Sequence, residues 1–353
     1  MSEWKSLYDS KSGERGIFNR LSAKAQAKKF GRRDPNHEFG TNPCSEIILR
    51  PYQFCNLTEV VIREKDKYED LKRKVMLATI LGTAQSTLTK FPYLRKVWKN
   101  NTEEERLLGV SLTGIMDNEL TSGRKHGLKE TLIKLREVAV ETNKEWSAIF
   151  GIPQSTAITC VKPSGTVSQL VDSSSGIHPR HSSFYIRTVR GDNKDPLTQF
   201  MIDSNIPSEP DVMKPDTQTV FSFPMKSPRK SVMRDDMTAI EQLQTWLTYQ
   251  RHWCEHKPSV TISVRDEEWM EVGAFVFNHF EEMSGVSFLP HSDHTYQQAP
   301  YQECAEEVYN EFSSKFGHIN WDKFQSYEKE DNTQSSQTFA CSGDSCEIVD
   351  IGS

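Results

Sequence analysis

Apolar residues recur along the chain with two different periods, and these periods predict alternating helices and strands. Spacings of three and four residues predict helices over 68–88, 127–150, 238–254, 266–282 and 301–316. Short runs of β-branched and aromatic residues predict strands within 44–62 and over 156–161, 220–223, 260–264 and 285–289. Strands that alternate with helices of this length are typical of βαβ units, so the pattern predicts an α/β fold.

The two ends of the chain depart from this pattern. Residues 1–40 are basic and polar and hold little that could nucleate a core, so we expect a leader that packs on the folded body. Residues 41–327 carry the alternating elements. From 328 onward the chain is polar and almost free of apolar residues as far as 338, which predicts a flexible tail over 328–353.

Composition narrows the classes of protein that fit. Of 353 residues, 36% are apolar, and the formal net charge is −6. This weakly acidic balance argues against a dedicated nucleic-acid-binding protein, although a nucleotide needs only one local anion site. No apolar stretch reaches the roughly 18 residues of a membrane span, and the first residues lack the apolar segment of a secretion signal. We therefore expect a cytoplasmic protein without a membrane partner.

Seven cysteines in a reducing compartment point to catalysis, redox chemistry or metal binding rather than to structural disulfides. Cys44 lies between Asn42 and Glu46, and in an extended segment or at a tip these three side chains would point the same way. The thiol could then give or take a hydrogen, the carboxylate could act as a base, and the amide could hold a hydroxyl group. The alternative is a buried cysteine in an ordinary loop beside a surface glutamate.

Three more cysteines stand out by position. Cys55 begins the strand predicted within 44–62, and taken singly it is typical of a small buried hydrophobic residue. Cys341 and Cys346 lie on the tail, where a zinc knuckle would need two more ligands nearby, so we interpret them as a mobile dithiol. The 13 steps from Glu328 to Cys341 span at most roughly 45 Å, with a root-mean-square reach of about 20 Å, enough to visit a pocket in the body.

A turn rich in serine, glycine and threonine follows the strand predicted at 156–161. Backbone N–H groups and hydroxyls at a helix N-terminus make an anion site, so this turn predicts a substrate-binding segment, with a plain N-cap as the alternative. Its residues are Pro163, Ser164, Gly165, Thr166, Val167 and Ser168.

Two segments with histidines leave more than one interpretation open. His252 and His256 stand four residues apart at a predicted helix end, but they lack the catalytic glutamate spacing of zinc proteases, so we expect no metal site. Residues 176–181 either line a cofactor or substrate surface or form a loop with exposed histidines.

In their order along the chain, these features resemble the class II ribonucleotide reductases, and more narrowly the adenosylcobalamin-dependent ribonucleoside-triphosphate reductases. The resemblance covers essentially the whole chain. It rests on the segments 12–20 (SGERGIFNR), 42–47 (NPCSEI), 55–57 (CNL), 162–167 (KPSGTV) and 285–290 (GVSFLP), and on the terminal pair Cys341 and Cys346. It implies that 41–327 is the C-terminal half of a ten-stranded catalytic α/β barrel with a finger loop, followed by a flexible redox tail.

The resemblance also implies a role for each residue around Cys44. Cys44 would be oxidised to a thiyl radical with the help of adenosylcobalamin, and would then abstract the 3′-hydrogen of the substrate ribose. Glu46 would be the base on the 3′-hydroxyl, and Asn42 would hold the sugar hydroxyls.

By the same resemblance, the other cysteines supply electrons. Cys55 would be one half of the dithiol that reduces the 2′ position as water leaves. Cys341 and Cys346 would reduce that dithiol again, and thioredoxin or a similar dithiol would then reduce them. The segment 163–168 would hold the phosphates of a ribonucleoside triphosphate.

The chain departs from the family in one respect. Only 43 residues precede Cys44, where the family has a large N-terminal half, and the cysteine that should pair with Cys55 would belong to that half. We therefore expect the C-terminal chain of a split reductase that is inactive without an N-terminal partner chain. The alternatives are a catalytically incomplete remnant that binds nucleotide or a partner reductase, and a thiol–disulfide exchanger that uses Cys341 and Cys346 directly.

Overall fold

The computed structural model describes residues 2–10, 16–291, 297–317, 319–328, 341–342 and 345–346. Within them the helices are, in chain order, α1 (Ser2–Ser10), α2 (Arg20–Lys29), α3 (Tyr68–Gln85), α4 (Lys96–Glu105), α5 (Leu128–Phe150), α6 (Gly165–Leu170), α7 (Pro196–Asp203), α8 (Ala239–His252), α9 (Trp269–Asn278) and α10 (Glu306–Lys315). Short 3₁₀ helices cover Ile115–Asp117, Arg234–Asp236, Asp266–Glu268 and Trp321–Ser326.

The strands within the same residues are short, except for two in the second half of the chain. They are β1 (Gly16–Phe18), β2 (Gly40–Thr41), β3 (Ile48–Leu49), β4 (Asn56–Val61), β5 (Leu108–Thr113), β6 (Thr159–Cys160), β7 (Phe184–Asp192), β8 (Ser208–Pro210), β9 (Gln218–Lys226), β10 (Val260–Val264), β11 (Ser284–Pro290), β12 (Tyr301–Glu303), β13 (Cys341–Ser342) and β14 (Ser345–Cys346). Residues 329–340, 343–344 and 347–353 of the predicted flexible tail and residues 12–15 of the first matched segment lie outside the described residues.

The chain divides into two compact units, residues 1–180 with 230–291 and residues 181–229 with 292–353. The second unit therefore begins as an insertion between α6 and α8 of the first. The boundaries expected after residues 40 and 327 come from composition alone and stay predictions.

The first unit is built on parallel strands. β4, β5 and β6 form one sheet in that order, and β10 pairs in parallel with β11 in another. A parallel bridge between Val161 and Pro258 joins the two sheets, so five parallel strands follow one another in chain order. β1 borders the row by antiparallel pairing with β11. The α/β fold is confirmed, and five successive parallel strands are what one half of the predicted ten-stranded barrel requires.

Helix α8 secures the junction between the two sheets. The indole N–H of Trp246 donates to Pro258 O at 2.8 Å, and that of Trp253, directly after the helix, donates to Cys160 O at 2.7 Å. Both indole rings are fully buried, and a buried indole N–H needs such an acceptor. The two tryptophans therefore fill the core and fix the strands on either side of the bridge.

Strand β4 lies at one edge of this row, and α3 packs beside it. β4 pairs with β5, and within the described residues no strand pairs with its other edge. A groove of about 830 Å³ runs between β4 and α3. Beside it, Leu77, Leu81 and Leu88 are 51%, 63% and 71% exposed. The row thus presents an open edge with an apolar flank.

Residues 16–40 contact the rest of the first unit through paired charge and a small apolar cluster. Arg33 is buried and donates to both carboxylate oxygens of Glu105, at 2.9 and 3.0 Å. The cluster consists of Ala23, Ala27, Phe39 and Ile48. The expectation that this part of the chain has little to contribute to a core is wrong, because alanines let α2 approach closely and a buried guanidinium is tolerated when it is paired.

The second unit is an antiparallel sheet with helices and aromatic rings beside it. Its strand order is β12, β7, β9, β8, and β7 pairs with β9 over nine residues. Phe200 of α7 contacts the rings of Trp321, Phe324 and Tyr327 at centroid distances of 5.3 to 5.6 Å. These rings attach the 3₁₀ helix at 321–326 to α7.

The structure agrees with the strongest sequence patterns and corrects the weaker ones. α3, α5 and β10 are confirmed, whereas β5 and β7 were not predicted. The helix predicted over 301–316 is wrong in its first turn, because residues 301–303 pair with β7 as a strand. The strand predicted over 156–161 is only two residues long, and the strand predicted over 220–223 is confirmed but extends over the nine residues of β9. Among the described helices, none combines the length and the apolar character needed to cross a membrane.

Candidate active site

Residues 40–49, which we call the finger hairpin, place Asn42, Cys44 and Glu46 at one tip. β2 and β3 pair as its two arms, and Asn42 Oδ1 accepts a hydrogen bond from Ile47 N at 3.0 Å. Ser45 adopts a φ of 63°, so the tip is a tight turn. Gly285 of β11 lets this turn approach, because a Cβ at Gly285 would lie 2.9 Å from Ser45 O. Asn42 therefore shapes the tip, a role that the sequence did not reveal.

The two reactive side chains of the tip differ in solvent exposure. Cys44 is a thiol of intermediate exposure, whereas Glu46 is fully buried, so the alternative of a surface glutamate is wrong. Glu46 O accepts a hydrogen bond from Lys257 N at 3.1 Å, which fixes its backbone. Within the described residues, neither carboxylate oxygen of Glu46 has a hydrogen-bond partner. A buried carboxylate without hydrogen bonds is costly, so it indicates a site that a ligand completes.

Two lysines surround this carboxylate. Lys162 Nζ lies 3.5 Å from Glu46 Oε1. Burial alone would lower the pKa of Lys162, but Glu46 and Cys44 outweigh it and the pKa is raised. Lys257 is fully buried, and its Nζ donates to Ser284 Oγ at 3.0 Å. Burial lowers the pKa of Lys257 to about 7, against the opposing effect of Glu46.

Cys55 lies directly before β4, beside Gly109 of β5. Burial raises the pKa of the Cys55 thiol, and nearby Glu46 adds to the effect, so Cys55 is a protonated thiol at neutral pH. A Cβ at Gly109 would lie 3.1 Å from Cys55 Sγ and 3.0 Å from Ile47 Cδ1. The absence of a side chain at Gly109 therefore makes room for the thiol and for the finger hairpin.

Cys160 is another free thiol in this part of the first unit. It is fully buried in β6, and burial, with Glu46 and Cys55 nearby, raises its pKa. β5 lies between β4 and β6. Neighbouring strands are about 4.8 Å apart, which puts the backbones of Cys55 and Cys160 roughly 10 Å apart or more. A disulfide needs Cα atoms within about 7 Å, so Cys160 is not positioned to pair with Cys55.

The predicted substrate-binding segment lies where α6 begins. Ser164 is the N-cap residue of α6 and has a φ of 52°, but its side chain makes no capping hydrogen bond, so the substrate-binding role of this segment stays a prediction. Its Oγ is buried and has no hydrogen-bond partner within the described residues. Gly165, Thr166 and Val167 are exposed, and Ser168 Oγ donates to Gly165 O at 3.3 Å.

A buried ion pair supports the chain that follows this segment. Arg180 Nε and Nη2 donate to the two oxygens of Asp117, both at 2.9 Å. Ser174 N and Ser231 Oγ donate to the same carboxylate at 2.8 Å each. Asp117 is therefore satisfied on both oxygens and has a structural role.

Within 176–181, His178 supports the substrate-binding segment. Its Nδ1 donates to Ser175 O at 2.9 Å, and its Nε2 accepts from Thr261 N at 3.0 Å. Ser175 Oγ in turn donates to Pro163 O. The interpretation of a loop with exposed histidines is wrong for half-buried His178, which supports the backbone, whereas a cofactor or substrate surface at 176–181 stays a prediction.

The histidines at 252 and 256 do not share a helix. α8 ends at His252. Buried His256 accepts from Ile48 N at 3.3 Å through Nδ1 and donates to Leu108 O at 2.9 Å through Nε2. Burial lowers the pKa of His256, so it is neutral and joins the finger hairpin to β5. In the described ranges, no three His, Cys, Asp or Glu side chains are grouped to hold a metal ion.

The two tail cysteines occupy opposite backbone positions in a short strand pair. β13 and β14 pair antiparallel, with Cys341 opposite Cys346. Opposed residues of antiparallel strands have Cα atoms about 4.5–5.5 Å apart, which is within the range of disulfides. This pairing supports the interpretation of a redox dithiol.

Sequence reasoning missed three residues of this site. Lys162 directly precedes the predicted turn, Lys257 directly precedes the segment that enters β10, and Gly109 lies in the unpredicted β5. A lysine next to a predicted substrate segment was a usable signal. Nothing local in the sequence marks Lys257 or Gly109, since both act through residues that are distant in the chain.

Comparison with known proteins places this geometry in context. No family model matches the chain. A probable adenosylcobalamin-dependent ribonucleoside-triphosphate reductase of Dictyostelium discoideum is 28% identical over 317 residues, covering 88% of this chain and 40% of that protein. The corresponding reductase of Euglena gracilis is 28% identical, covering 85% and 41%, and that of Lactobacillus leichmannii is 26% identical, covering 86% and 45%. The chain thus spans less than half the length of these curated relatives.

Solved structures of ribonucleotide reductases are similar to this chain in fold. A B-12 dependent (class II) ribonucleotide reductase superposes with a TM-score of 0.70 at 24% identity, covering 82% of this chain and 44% of that one. The class Id ribonucleotide reductase alpha subunit of Actinobacillus ureae superposes with a TM-score of 0.53 at 13% identity, covering 82% and 61%.

The fold is therefore that of a ribonucleotide reductase catalytic chain. Its curated homologues are adenosylcobalamin-dependent ribonucleoside-triphosphate reductases, and the resemblance inferred from the sequence motifs is confirmed.

Proposed function

We propose that this chain is the radical-cysteine half of an adenosylcobalamin-dependent reductase that converts ribonucleoside triphosphates to 2′-deoxyribonucleoside triphosphates. One observation carries the proposal. At the finger hairpin, a partly exposed thiol, Cys44, stands two residues from the buried carboxylate of Glu46, whose oxygens have no hydrogen-bond partner among the described residues. The homologues are named for this reaction.

The residues around Cys44 fit the cofactor in the names of the homologues. Adenosylcobalamin, when bound, supplies the radical that oxidises a cysteine, and Cys44 is a partly exposed thiol at the tip of the finger hairpin. Cys44 takes the 3′-hydrogen of the ribose and returns it at the end of the reaction. Glu46 takes the proton of the 3′-hydroxyl, which assists loss of the 2′-hydroxyl as water. Asn42 holds the sugar hydroxyls through the part of its amide that does not bind Ile47.

Replacing the 2′-hydroxyl by hydrogen consumes two electrons, which a dithiol supplies as it becomes a disulfide. Cys55 is one half of this dithiol, and its raised pKa suits a hydrogen donor. Cys160 is too distant from Cys55, so the other half comes from an N-terminal partner chain that completes the barrel. Cys341 and Cys346 reduce the disulfide again, and thioredoxin or a similar dithiol reduces them, as expected in the cytoplasm. The segment 163–168 holds the substrate phosphates.

Reconstitution tests the proposal. The full chain is assayed with adenosylcobalamin, a dithiol and ribonucleoside triphosphates, alone and with a candidate chain that supplies the N-terminal half-barrel. We expect turnover only with both chains, and complete loss of turnover for Cys44→Ser. Cys304→Ser, which removes a free thiol of the second unit, is the matched control and should keep full turnover.

Each alternative has its own outcome. Nucleotide binding without turnover in the reconstituted pair would indicate a remnant. Disulfide exchange that survives Cys44→Ser, without nucleotide reduction, would indicate an exchanger. Full turnover by the chain alone would contradict the need for a partner, and turnover by Cys44→Ser would contradict the radical assignment.

A further inference from the structure

The carboxylate of Glu46 poses an electrostatic problem that the finger hairpin does not solve. A base must be ionised before it can accept a proton, yet Glu46 is fully buried and its oxygens have no hydrogen-bond partner within the described residues. An unpaired buried charge is unfavourable by several kcal/mol or more. A cation near Glu46 is therefore required from another element of the fold.

Lys162 is placed to provide that cation. Its Nζ lies 3.5 Å from Glu46 Oε1, and its side chain is 35% exposed, so the ammonium stands between the buried carboxylate and solvent. Its backbone is fixed, since Lys162 N donates to Ser111 Oγ of β5 at 2.8 Å. Lys162 is also the residue directly before the substrate-binding segment 163–168.

Lys257 is the rival for this role, and its surroundings argue against it. Its Nζ donates to Ser284 Oγ and lies 4.3 Å from the centroid of the Phe18 ring. Burial lowers the pKa of Lys257 to about 7, so near neutral pH it is charged only part of the time. The pKa of Lys162 is raised, so Lys162 remains a cation throughout this range.

We propose that Lys162 is the positioning residue of Glu46: its ammonium holds the carboxylate charged and oriented, and ties the finger hairpin to the substrate-binding segment. This inference rests on the proposed function, because only there does Glu46 act as a base. It also links two parts of the site that are far apart in the sequence. A shift of the segment 163–168 would move the Lys162 ammonium and would therefore change the electrostatic environment of Glu46.

The titratable groups that face this pair come from several elements. They are Cys44 of the finger hairpin, Cys55 and Glu59 at and in β4, Cys160 of β6 and Lys257. Burial raises the pKa values of Cys55, Glu59 and Cys160, so the thiols are neutral at pH 7. None of these groups replaces the cation if Lys162 is removed, except Lys257 in its charged form.

Hydrogen exchange in the full chain tests whether Lys162 holds the finger hairpin in place, and this test does not depend on catalytic turnover. The probes are the amides of Ile47, which donates to Asn42, and of Lys257, which donates to Glu46 O. We expect both to exchange at least about tenfold faster in Lys162→Met, because the unpaired carboxylate loosens the hairpin. Lys162→Arg should stay within about threefold of the parent chain. Lys144→Met, which removes a surface cation 3.8 Å from Glu141, is the control and should change nothing.

The amide of Val110, bonded to Ile158 O at 2.7 Å, reports global unfolding and should be unaffected. If the amides of Ile47 and Lys257 in Lys162→Met exchange at rates within twofold of those in the parent chain, the proposal is overturned. It is also overturned if exchange of the Val110 amide accelerates as much as theirs does. In the reconstituted pair, Lys162→Met should lower kcat and move the acid side of the kcat profile to higher pH, with recovery in Lys162→Arg. If the parent pair has no turnover, the proposed function fails. The exchange result would still decide whether Lys162 holds the finger hairpin in place.

Discussion

Two buried carboxylates in the first unit, Asp117 and Glu46, have opposite surroundings. Asp117 receives two hydrogen bonds from Arg180 and one each from Ser174 and Ser231. Glu46 receives none from the described residues, and has only the ammonium of Lys162 at 3.5 Å. Both are less than 3% exposed.

The difference separates a carboxylate that holds the fold from one that is kept for chemistry. The hydrogen bonds that Asp117 accepts hold Ser174, Arg180 and Ser231 in place. Glu46 leaves its oxygens available, and under the proposed function a substrate hydroxyl would bind to them. The carboxylates of Asp117 and Glu46 are similarly buried, so burial does not distinguish them, whereas hydrogen bonding does.

The largest expected effect is on turnover when Glu46 is neutralised. In Glu46→Gln, reduction by the reconstituted pair should fall about 10²–10⁴-fold, the usual contribution of a general base. The thermal midpoint should stay the same or rise, because a buried charge without hydrogen bonds has been removed. Turnover is measured by deoxynucleotide formation, and stability by calorimetry. A large fall in the midpoint would show that Glu46 holds the fold as Asp117 does.

Asp117→Asn should give the reverse result. An asparagine at position 117 cannot neutralise the buried guanidinium of Arg180, which then has only the ion pair with Asp172, so the free energy of unfolding should fall by about 3–5 kcal/mol. Urea unfolding of the full chain measures it. Unchanged stability of the Asp117→Asn chain would contradict the structural role of Asp117 and therefore its contrast with Glu46.

A smaller effect concerns Lys257 and pH. Its pKa is about 7 in the folded chain and 10.5 in the unfolded chain, so between these values the unfolded state binds the extra proton. This group therefore makes the free energy of unfolding rise with pH across that window, by up to about 1.4 kcal/mol per unit.

In Lys257→Met this contribution should disappear, so the difference in stability between variant and parent should change steadily from pH 7 to pH 10. Urea unfolding at several pH values measures it, with Lys144→Met as the control. A difference that stays constant over this range would mean that Lys257 is charged in the folded chain.

The smallest effect is expected at the tip itself. Asn42→Ala removes the acceptor of the Ile47 amide, which should lower stability by about 1 kcal/mol. Exchange of the Ile47 amide should accelerate while that of Val110 does not. Equal protection of Ile47 in the variant would contradict the role of Asn42 in shaping the turn.

Elements with strong local patterns could be read from the sequence. α3 and α5 follow from apolar residues at helical spacing, and β10 follows from an alternating β-branched run. β5 was missed although it is buried throughout, because Gly109 and Ser111 interrupt its apolar run. Its glycine is explained only by Cys55 and Ile47, which come from other segments.

The candidate site could be predicted in part for a similar reason. The spacing of Asn42, Cys44 and Glu46 suggested convergent chemistry, and the family motif named their roles. The partner of Glu46 could not be predicted, since Lys162 lies more than a hundred residues away and reaches it only through the β6–α6 connection. A sequence pattern shows which groups are present, whereas burial and contact show which of them are left unpaired.

One edge of β4 is not paired with any strand of the described residues, and this has a practical consequence for work with this chain. An open strand edge with exposed leucines beside it is a surface on which identical molecules add strand to strand. We expect recombinant material to aggregate through β4 and α3 when it is concentrated. Light scattering of Leu81→Lys, compared with the parent chain, would show whether charge on that flank improves colloidal behaviour. Solubility during purification would then serve as a simple screen for polypeptides that cover this edge.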